Sequence, residues 1–203
     1  PSRPGRRYTF RIAAYNAAGF SDFSYYDLKL YAVEPKVLPA AGSVPLEVHL
    51  VGGGLTTTGY TVYIGRLASD GSVDLAKSKK CTALVNLDPT GTRLRCKAPS
   101  WVGAKFDLIV HYKSGIFEQI ATGNSWIKYK APEILSLKPA LVDPPVPKVP
   151  VTIEISGRNF GLDSGDVVGE LVGKTPLPCN PLVVESDQKI LCTLTPVTPE
   201  DTL

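Results

Sequence analysis

Residues 151–157 read VTIEISG, an alternation of apolar and polar side chains that ends on a glycine. Alternation with a period of two is typical of a β-strand that buries one face. Residues 46–52 read LEVHLVG and carry the same pattern earlier in the chain. Each copy follows an extended segment bounded by prolines, EPKVLPA at 34–40 and PEILSLKPA at 132–140. A repeat of roughly 100 residues predicts two consecutive small β-sandwiches.

The four cysteines form two close pairs, one in each copy of the repeat. Cys81 and Cys96 belong to the first copy, and Cys179 and Cys192 to the second. We predict one local disulfide in each copy, because each pair straddles a short turn. The alternative, a tetrahedral zinc site, is disfavoured because the two pairs lie far apart and the chain has no CxxC spacing. Disulfides predict an oxidising compartment, and therefore an extracellular or cell-surface protein.

The N-terminal segment predicts one β-hairpin. Residues 7–15 (RYTFRIAAY) alternate with a period of two, residues 16–19 (NAAG) suit a tight turn, and residues 23–31 form the predicted return strand. A lone hairpin is marginal in water, so we expect it to need a sheet that the chain does not contain. Tyr25 and Tyr26 point to opposite faces of the return strand, and the outward one is a candidate interaction residue.

The bulk composition is that of a globular chain with many turns. The 203 residues carry a net charge of +3, are 43% hydrophobic, and include 18 glycines and 18 prolines without a period. This charge is too small to indicate a nucleic-acid partner, and no apolar run reaches the about 18 residues of a membrane span. No segment sustains the 3.6-residue period of a helix, so the predicted fold is all-β. Further strands are predicted at 60–64, 106–112, 125–129, 167–172 and 182–184.

Two family resemblances refine this prediction. Residues 4–21 (PGRRYTFRIAAYNAAGFS) resemble the last two strands of a fibronectin type III domain, with Tyr8 at that family's tyrosine-corner position. ILSLKP at 134–139, followed by VTIEISGRNFG at 151–161, resembles the immunoglobulin-like IPT/TIG domain, and the first repeat is similar. The hairpin from Cys179 to Cys192 is similar to the disulfide hairpin of extracellular members of that family.

The resemblances imply tandem immunoglobulin-like β-sandwiches in three parts. We expect the C-terminal hairpin of a fibronectin type III domain at 1–33 and a complete IPT/TIG domain at 34–130. A second IPT/TIG domain at 131–203 is expected to be truncated at its C-terminus, about 30 residues short by comparison with the first.

We predict no catalytic site, no cofactor and no metal. His49 and His111 are expected to be surface histidines on strands, because no nucleophile and acid accompany them. Asp70 and Asp74 are expected to belong to an ordinary loop, since the calcium-binding EF-hand pattern is absent. The basic run KSKK at 77–80 is expected to guard a solvated strand edge and not to contact DNA.

The predicted function is that of a non-catalytic structural or adhesion segment of a large multidomain extracellular protein. It would act as a rigid spacer and a protein–protein interaction array, in a cell-surface or ciliary or flagellar fibre, with other modules of the same or neighbouring chains as partners. Two alternatives stay open, the ectodomain of a plexin-like signalling receptor and a carbohydrate-binding accessory module. For a glycan partner, the candidate stacking residue is Trp101, in a loop after Pro99.

Overall fold

The computed structural model describes residues 11–12, 15–16, 19–20, 24–25, 28–51, 58–89, 92–114, 117–140, 149–172 and 176–195. The first four ranges, and Ser114 and Phe117, are described by their backbone only. These residues form β-strands and two single-turn 3₁₀ helices, Leu75–Lys77 and Ser164–Asp166, so the all-β prediction is confirmed. The strands are β1 (Arg11–Ile12), β2 (Tyr15–Asn16), β3 (Gly19–Phe20), β4 (Ser24–Tyr25), β5 (Lys29–Glu34), β6 (Val37–Leu38), β7 (Pro45–Val51), β8 (Tyr60–Gly65), β9 (Lys79–Lys80), β10 (Thr82–Asn86), β11 (Arg93–Lys97), β12 (Phe106–Ser114), β13 (Phe117–Tyr129), β14 (Glu133–Lys138), β15 (Val151–Arg158), β16 (Glu170–Leu171), β17 (Leu177–Ser186) and β18 (Lys189–Leu194).

The chain divides into two compact units. The first comprises Pro1–Leu38, Ser43–Pro99 and Ala104–Lys128. The second comprises Tyr129–Leu203 together with two short segments, Pro39–Gly42 and Ser100–Gly103.

The first unit contains an immunoglobulin-like β-sandwich. One sheet has the strand order β10-β11-β7-β5, and its neighbours are antiparallel. The other has the order β6-β13-β12-β8-β9, in which the pairs β13-β12, β12-β8 and β8-β9 are antiparallel. If β5 is taken as strand A, β7 as B, β8 as C, and β10 to β13 as D to G, the first sheet is ABED and the second contains CFG. This division of strands between two sheets is that of the immunoglobulin fold.

The core of this sandwich follows from alternation along its strands. In β7, Leu46, Val48 and Leu50 are buried while Glu47 and His49 are only partly covered. The period of two therefore places every second side chain between the sheets, where each fully buried aliphatic residue contributes about 1.5–3 kcal/mol. The two sheets both supply fully buried side chains, among them Val33, Leu46, Val48 and Leu94 from the first and Val62, Ile64, Leu108, Val110 and Ile127 from the second.

The predicted N-terminal hairpin is present in part. β2 pairs with β3 through Asn16 and Gly19, and β1 pairs with β4 through Arg11 and Tyr25. The predicted return strand at 23–31 is divided, however, because Lys29 already belongs to β5 and pairs with β7. The first sandwich therefore includes residues that the sequence placed in the hairpin. The assignment of the hairpin to a fibronectin type III domain stays a prediction.

The described part of the second unit forms one five-stranded sheet with the order β14-β15-β18-β17-β16. Its small core consists of Ile153, Leu177, Cys192 and Leu194. All six residues of β14 are exposed, including Ile134 and Leu135, which are 61% and 64% exposed.

The strand register of the first unit recurs in the second. Leu46 of β7 lies opposite Cys96 of β11, and Ile153 of β15 lies opposite Cys192 of β18. Three further pairs correspond in the same way: Val48–Leu94 with Ile155–Ile190, Glu47–Arg95 with Glu154–Leu191, and Glu34–Glu47 with Lys138–Glu154. A slip of one residue would exchange the two faces of a strand. Matching registers therefore mean that the second sheet is built on the plan of the first sheet of the sandwich.

Gly59, just before β8, is expected to tolerate no side chain. Its φ is +93°, and an added Cβ would lie 2.4 Å from the carbonyl oxygen of Lys113. Gly71 has a similar φ of +82° but nothing within 4 Å of the Cβ position. Gly71→Ala should cost only the left-handed backbone strain, about 1–2 kcal/mol. Gly59→Ala should cost about 1–3 kcal/mol more, because the backbone must shift. Urea unfolding of both variants measures this difference, and equal losses would contradict the packing shown here.

Candidate functional site

The second unit contains the predicted disulfide between Cys179 of β17 and Cys192 of β18. The Cα atoms are 4.9 Å apart, and the bond closes a sequence separation of 13 residues. Cys192 is buried in the core cluster, and partly buried Cys179 packs against that cluster. The bond therefore ties two neighbouring strands at the edge of the core.

Cys81 and Cys96 are both buried, and the structure contains them as free thiols. The two thiols are nevertheless neighbours and share a hydrogen bond. This hydrogen bond with Cys96 raises the pKa of the Cys81 thiol, and burial raises it further. A thiol with a raised pKa stays protonated and unreactive. The predicted Cys81–Cys96 disulfide is thus unformed here, with its two partners side by side, and it stays a prediction.

The two cysteine pairs occupy corresponding places in their sheets. In the second unit, Cys179 lies opposite Leu194, two residues beyond Cys192. In the first unit, Thr82 lies opposite Lys97. Continued by one residue, this antiparallel register places Cys81 opposite Ala98, which is two residues beyond Cys96. The backbone agrees, since Cys81 N–H donates to Val62 O and Cys179 N–H donates to Gly169 O, each at 2.9 Å. The free thiols therefore stand where the other repeat has its disulfide.

The predicted interaction residues are placed only in part. Tyr25 lies in β4, but its side chain and the whole of Tyr26 fall outside the described residues. Trp101 is half-buried, and its backbone N–H donates to Ala40 O at 3.0 Å. The Ser100 hydroxyl donates to the same carbonyl oxygen at 3.0 Å. The loop that carries Trp101 is thus fixed at its base, and the ring offers only part of its surface to a ligand.

The outward face of the ABED sheet carries three basic side chains in a line. Arg93, Arg95 and Lys97 alternate along β11 with buried Leu94 and Cys96, so all three point to solvent. We call these three residues the basic row. Sequence reasoning missed it because only the contiguous run at 77–80 was considered. The signal was available in the alternation of RLRCK at 93–97.

One carboxylate on β7 serves two members of the basic row. Glu47 accepts a hydrogen bond at 3.1 Å from Nε of Arg95 and another at 3.4 Å from Nη2 of Arg93. The two guanidinium groups are about half exposed, at 50% for Arg93 and 47% for Arg95. Two positive charges thus share one negative charge. Within the part of the chain that the structure describes, Lys97 has no ion pair.

Acid is expected to weaken the first unit through Glu47. Hydrogen bonds from Arg95 first, and from Arg93, hold the pKa of Glu47 below its ordinary value of 4.5. A carboxyl whose folded pKa is lowered contributes stability above the unfolded pKa, and this contribution is lost as the pH falls through the folded pKa. The Glu47→Gln variant should therefore lose less melting temperature than the parent chain between pH 5 and pH 2, roughly the range of an acidic carboxylate. Identical dependence of the melting temperature on pH in the two proteins would show that the interaction of Glu47 with Arg95 and Arg93 does not stabilise the first unit.

The remaining candidate residues form local contacts. Asp70 accepts hydrogen bonds from the N–H and hydroxyl of Ser72, and Asp74 caps the first 3₁₀ helix by accepting from Ala76 N–H. His111 lies 2.7 Å from Glu118 on the adjacent strand β13. Among the described residues, no group of three or more His, Cys, Asp and Glu could hold a metal ion. Within the same residues, no helix has the length and apolar character needed to cross a bilayer.

Comparisons with known proteins find structural similarity only. No protein-family model matches the chain, and no curated protein matches it. A structure of the full extracellular region of plexin A4 with domains 1 to 8 is 16% identical over 84% of this chain and 15% of that chain, with a TM-score of 0.34. A second plexin A4 structure, with domains 1 to 10, is 16% identical over 84% of this chain and 13% of that chain, with a TM-score of 0.34. A chimeric titin Z1Z2 with a KLER peptide from decorin is 14% identical over 86% of this chain and 84% of that chain, with a TM-score of 0.28.

This chain therefore spans less than a sixth of either plexin chain, since it covers 15% of one and 13% of the other. Because the TM-scores are low, the immunoglobulin-like assignment rests on the strand order and the register described above.

Proposed function

We propose that this chain is a non-catalytic structural segment of a multidomain extracellular protein, in which IPT/TIG-type modules act as spacers and as an interaction array. The observation that carries the proposal is the strand register shared by the two units. Repeated modules with one plan are what a long array requires, because each copy adds length without a new fold. Partners would be other modules of the same or neighbouring chains.

The cysteines support an extracellular location. The Cys179–Cys192 bond crosslinks two strands of the second sheet, and such bonds persist in oxidising compartments. The connection between β13 and β14 supports the spacer role, since only residues 130–132 separate Tyr129 from Glu133. So short a connection leaves little flexible chain. A plexin-like receptor ectodomain and a carbohydrate-binding module use the same kind of fold, and a partner would distinguish them.

A spacer must keep its folded length under tension, and single-molecule pulling on the chain tests this requirement. Tethered by its two ends, the chain should show a discrete unfolding event for the first unit, because its antiparallel sheets must separate as a whole. Smooth extension without such an event would overturn the spacer proposal. A matched pair of variants serves as the control: Leu108→Ala, at a fully buried leucine, should lower the unfolding force, and Leu75→Ala, at a leucine that is 69% exposed, should leave it unchanged.

A further inference from the structure

We propose that the outward face of the ABED sheet in the first unit binds a linear anionic polysaccharide along the basic row. The three side chains of the row stand on one strand, at alternate positions from Arg93 to Lys97. Alternate residues of an antiparallel strand are about 7 Å apart, so the row extends about 14 Å. A small anion can contact only one end of such a row. A chain that carries an anionic group on successive sugars can contact all of it.

The charge of this face favours an anionic ligand. Arg93 and Arg95 share the single carboxylate of Glu47, and Lys97 has no ion pair within the described part of the chain. Glu47 also orients the two guanidinium groups, which matters because a fixed fork binds carboxylate or sulfate through two hydrogen bonds. On the outward side, the face also carries Lys29, opposite Val51, and Glu34, opposite Glu47. Four basic residues thus stand with two acidic ones.

The second unit provides an internal contrast. The positions that correspond to Arg93, Arg95 and Lys97 are Lys189, Leu191 and Thr193. The one base among them, Lys189, is held by two carboxylates, Glu154 at 3.0 Å and Glu185 at 3.2 Å. The row is therefore a property of the first unit and not of the repeat plan.

A polysaccharide is favoured over other polyanions by the compartment. The Cys179–Cys192 disulfide belongs to an oxidising environment, where the abundant linear polyanions are polysaccharides with carboxylate and sulfate groups. The proposal concerns a site separate from Trp101. It rests on the extracellular location in the proposed function and is independent of the spacer role.

Binding to immobilised heparin tests the proposal, with the 203-residue chain as analyte. Arg93→Gln, Arg95→Gln and Lys97→Gln combined should weaken binding at least about tenfold at physiological salt and lower the slope of log affinity against log salt by about two to three. The matched control removes three exposed lysines elsewhere in the first unit, by Lys80→Gln, Lys105→Gln and Lys128→Gln. It carries the same net charge and should bind within about twofold of the parent.

Three outcomes would overturn the proposal. The parent chain could fail to bind heparin, or the two triple variants could lose affinity equally, which would show a net-charge effect. The basic row could also prefer single-stranded DNA or phosphatidylserine vesicles to heparin at equal charge, which would exclude a polysaccharide as its ligand. Circular dichroism melting of each variant separates lost binding from lost folding. Both triple variants should melt like the parent chain, because all six substituted side chains are exposed.

Discussion

Leu108→Ala is expected to lower the free energy of unfolding of the first unit by about 3–5 kcal/mol. Leu108 is 0% exposed and lies in β12, between Ile64 of β8 and Gly123 of β13. Truncation removes apolar contacts and leaves a cavity between two sheets that are held in place by their hydrogen bonds, so little collapse can compensate. Urea unfolding followed by circular dichroism measures the loss.

The same substitution at an exposed leucine is the control for Leu108→Ala. Leu75 is 69% exposed in the first 3₁₀ helix, so Leu75→Ala should change the free energy of unfolding by less than about 0.5 kcal/mol. Similar losses at the two positions would mean that Leu108 is not enclosed between the sheets.

Cys81 and Cys96 are expected to be joined by a disulfide in protein that matures in an oxidising compartment. Their thiols are neighbours at the place that corresponds to the Cys179–Cys192 bond, so a bond that forms during folding, before burial makes the thiols unreactive, requires no change in strand register. In the chain-entropy model, a crosslink over about 15 residues stabilises the folded state by about 3 kcal/mol. Reduction of this bond should lower the melting temperature of the first unit by roughly 12–24 °C, because each 1 kcal/mol shifts the melting temperature of a domain of about 100 residues by about 4–8 °C.

Peptide mapping without reduction identifies the pairing directly. It should recover one crosslinked peptide with Cys81 and Cys96 and another with Cys179 and Cys192. In the double variant Cys81→Ala with Cys96→Ala, reductant should leave the melting temperature of the first unit unchanged. It should still lower the melting temperature of the second unit. Recovery of Cys81 and Cys96 as alkylated thiols from unreduced, denatured protein would contradict the prediction.

Local alternation was sufficient to predict the strands that form the centre of each sheet. LEVHLVG at 46–52 and VTIEISG at 151–157 each supply a strand with one buried face, β7 and β15. The Cys179–Cys192 bond was predictable for a related reason, since a short turn between two cysteines brings them onto neighbouring strands. Both features depend on residues close together in the sequence.

Pairing partners were not predictable from the same pattern. Residues 23–31 were expected to form one return strand, yet Lys29 pairs with Val51 of β7. Alternation shows that a segment is a strand but not which strand lies beside it. Likewise, of the predicted strand at 167–172 only Glu170 and Leu171 join a sheet, and Val168 is 99% exposed. β-branched residues favour a strand only where a neighbour accepts it.

The basic row shows a different limit of sequence reading. Its alternation is visible at 93–97, but its meaning depends on which face is buried. Leu94 and Cys96 are each 1% exposed, and this burial alone directs Arg93, Arg95 and Lys97 to solvent. A charge pattern on a strand becomes a candidate site only after the sheet has assigned its faces.

The shared register of the two units is tested most directly by nuclear Overhauser contacts between backbone protons of opposite residues. We predict contacts between Leu46 and Cys96 in the first unit and between Ile153 and Cys192 in the second. A shift by one residue in either unit would turn the buried side chains of that strand to solvent. Contacts displaced in this way, or found in only one unit, would contradict the account of this chain as two modules built on one immunoglobulin-like plan.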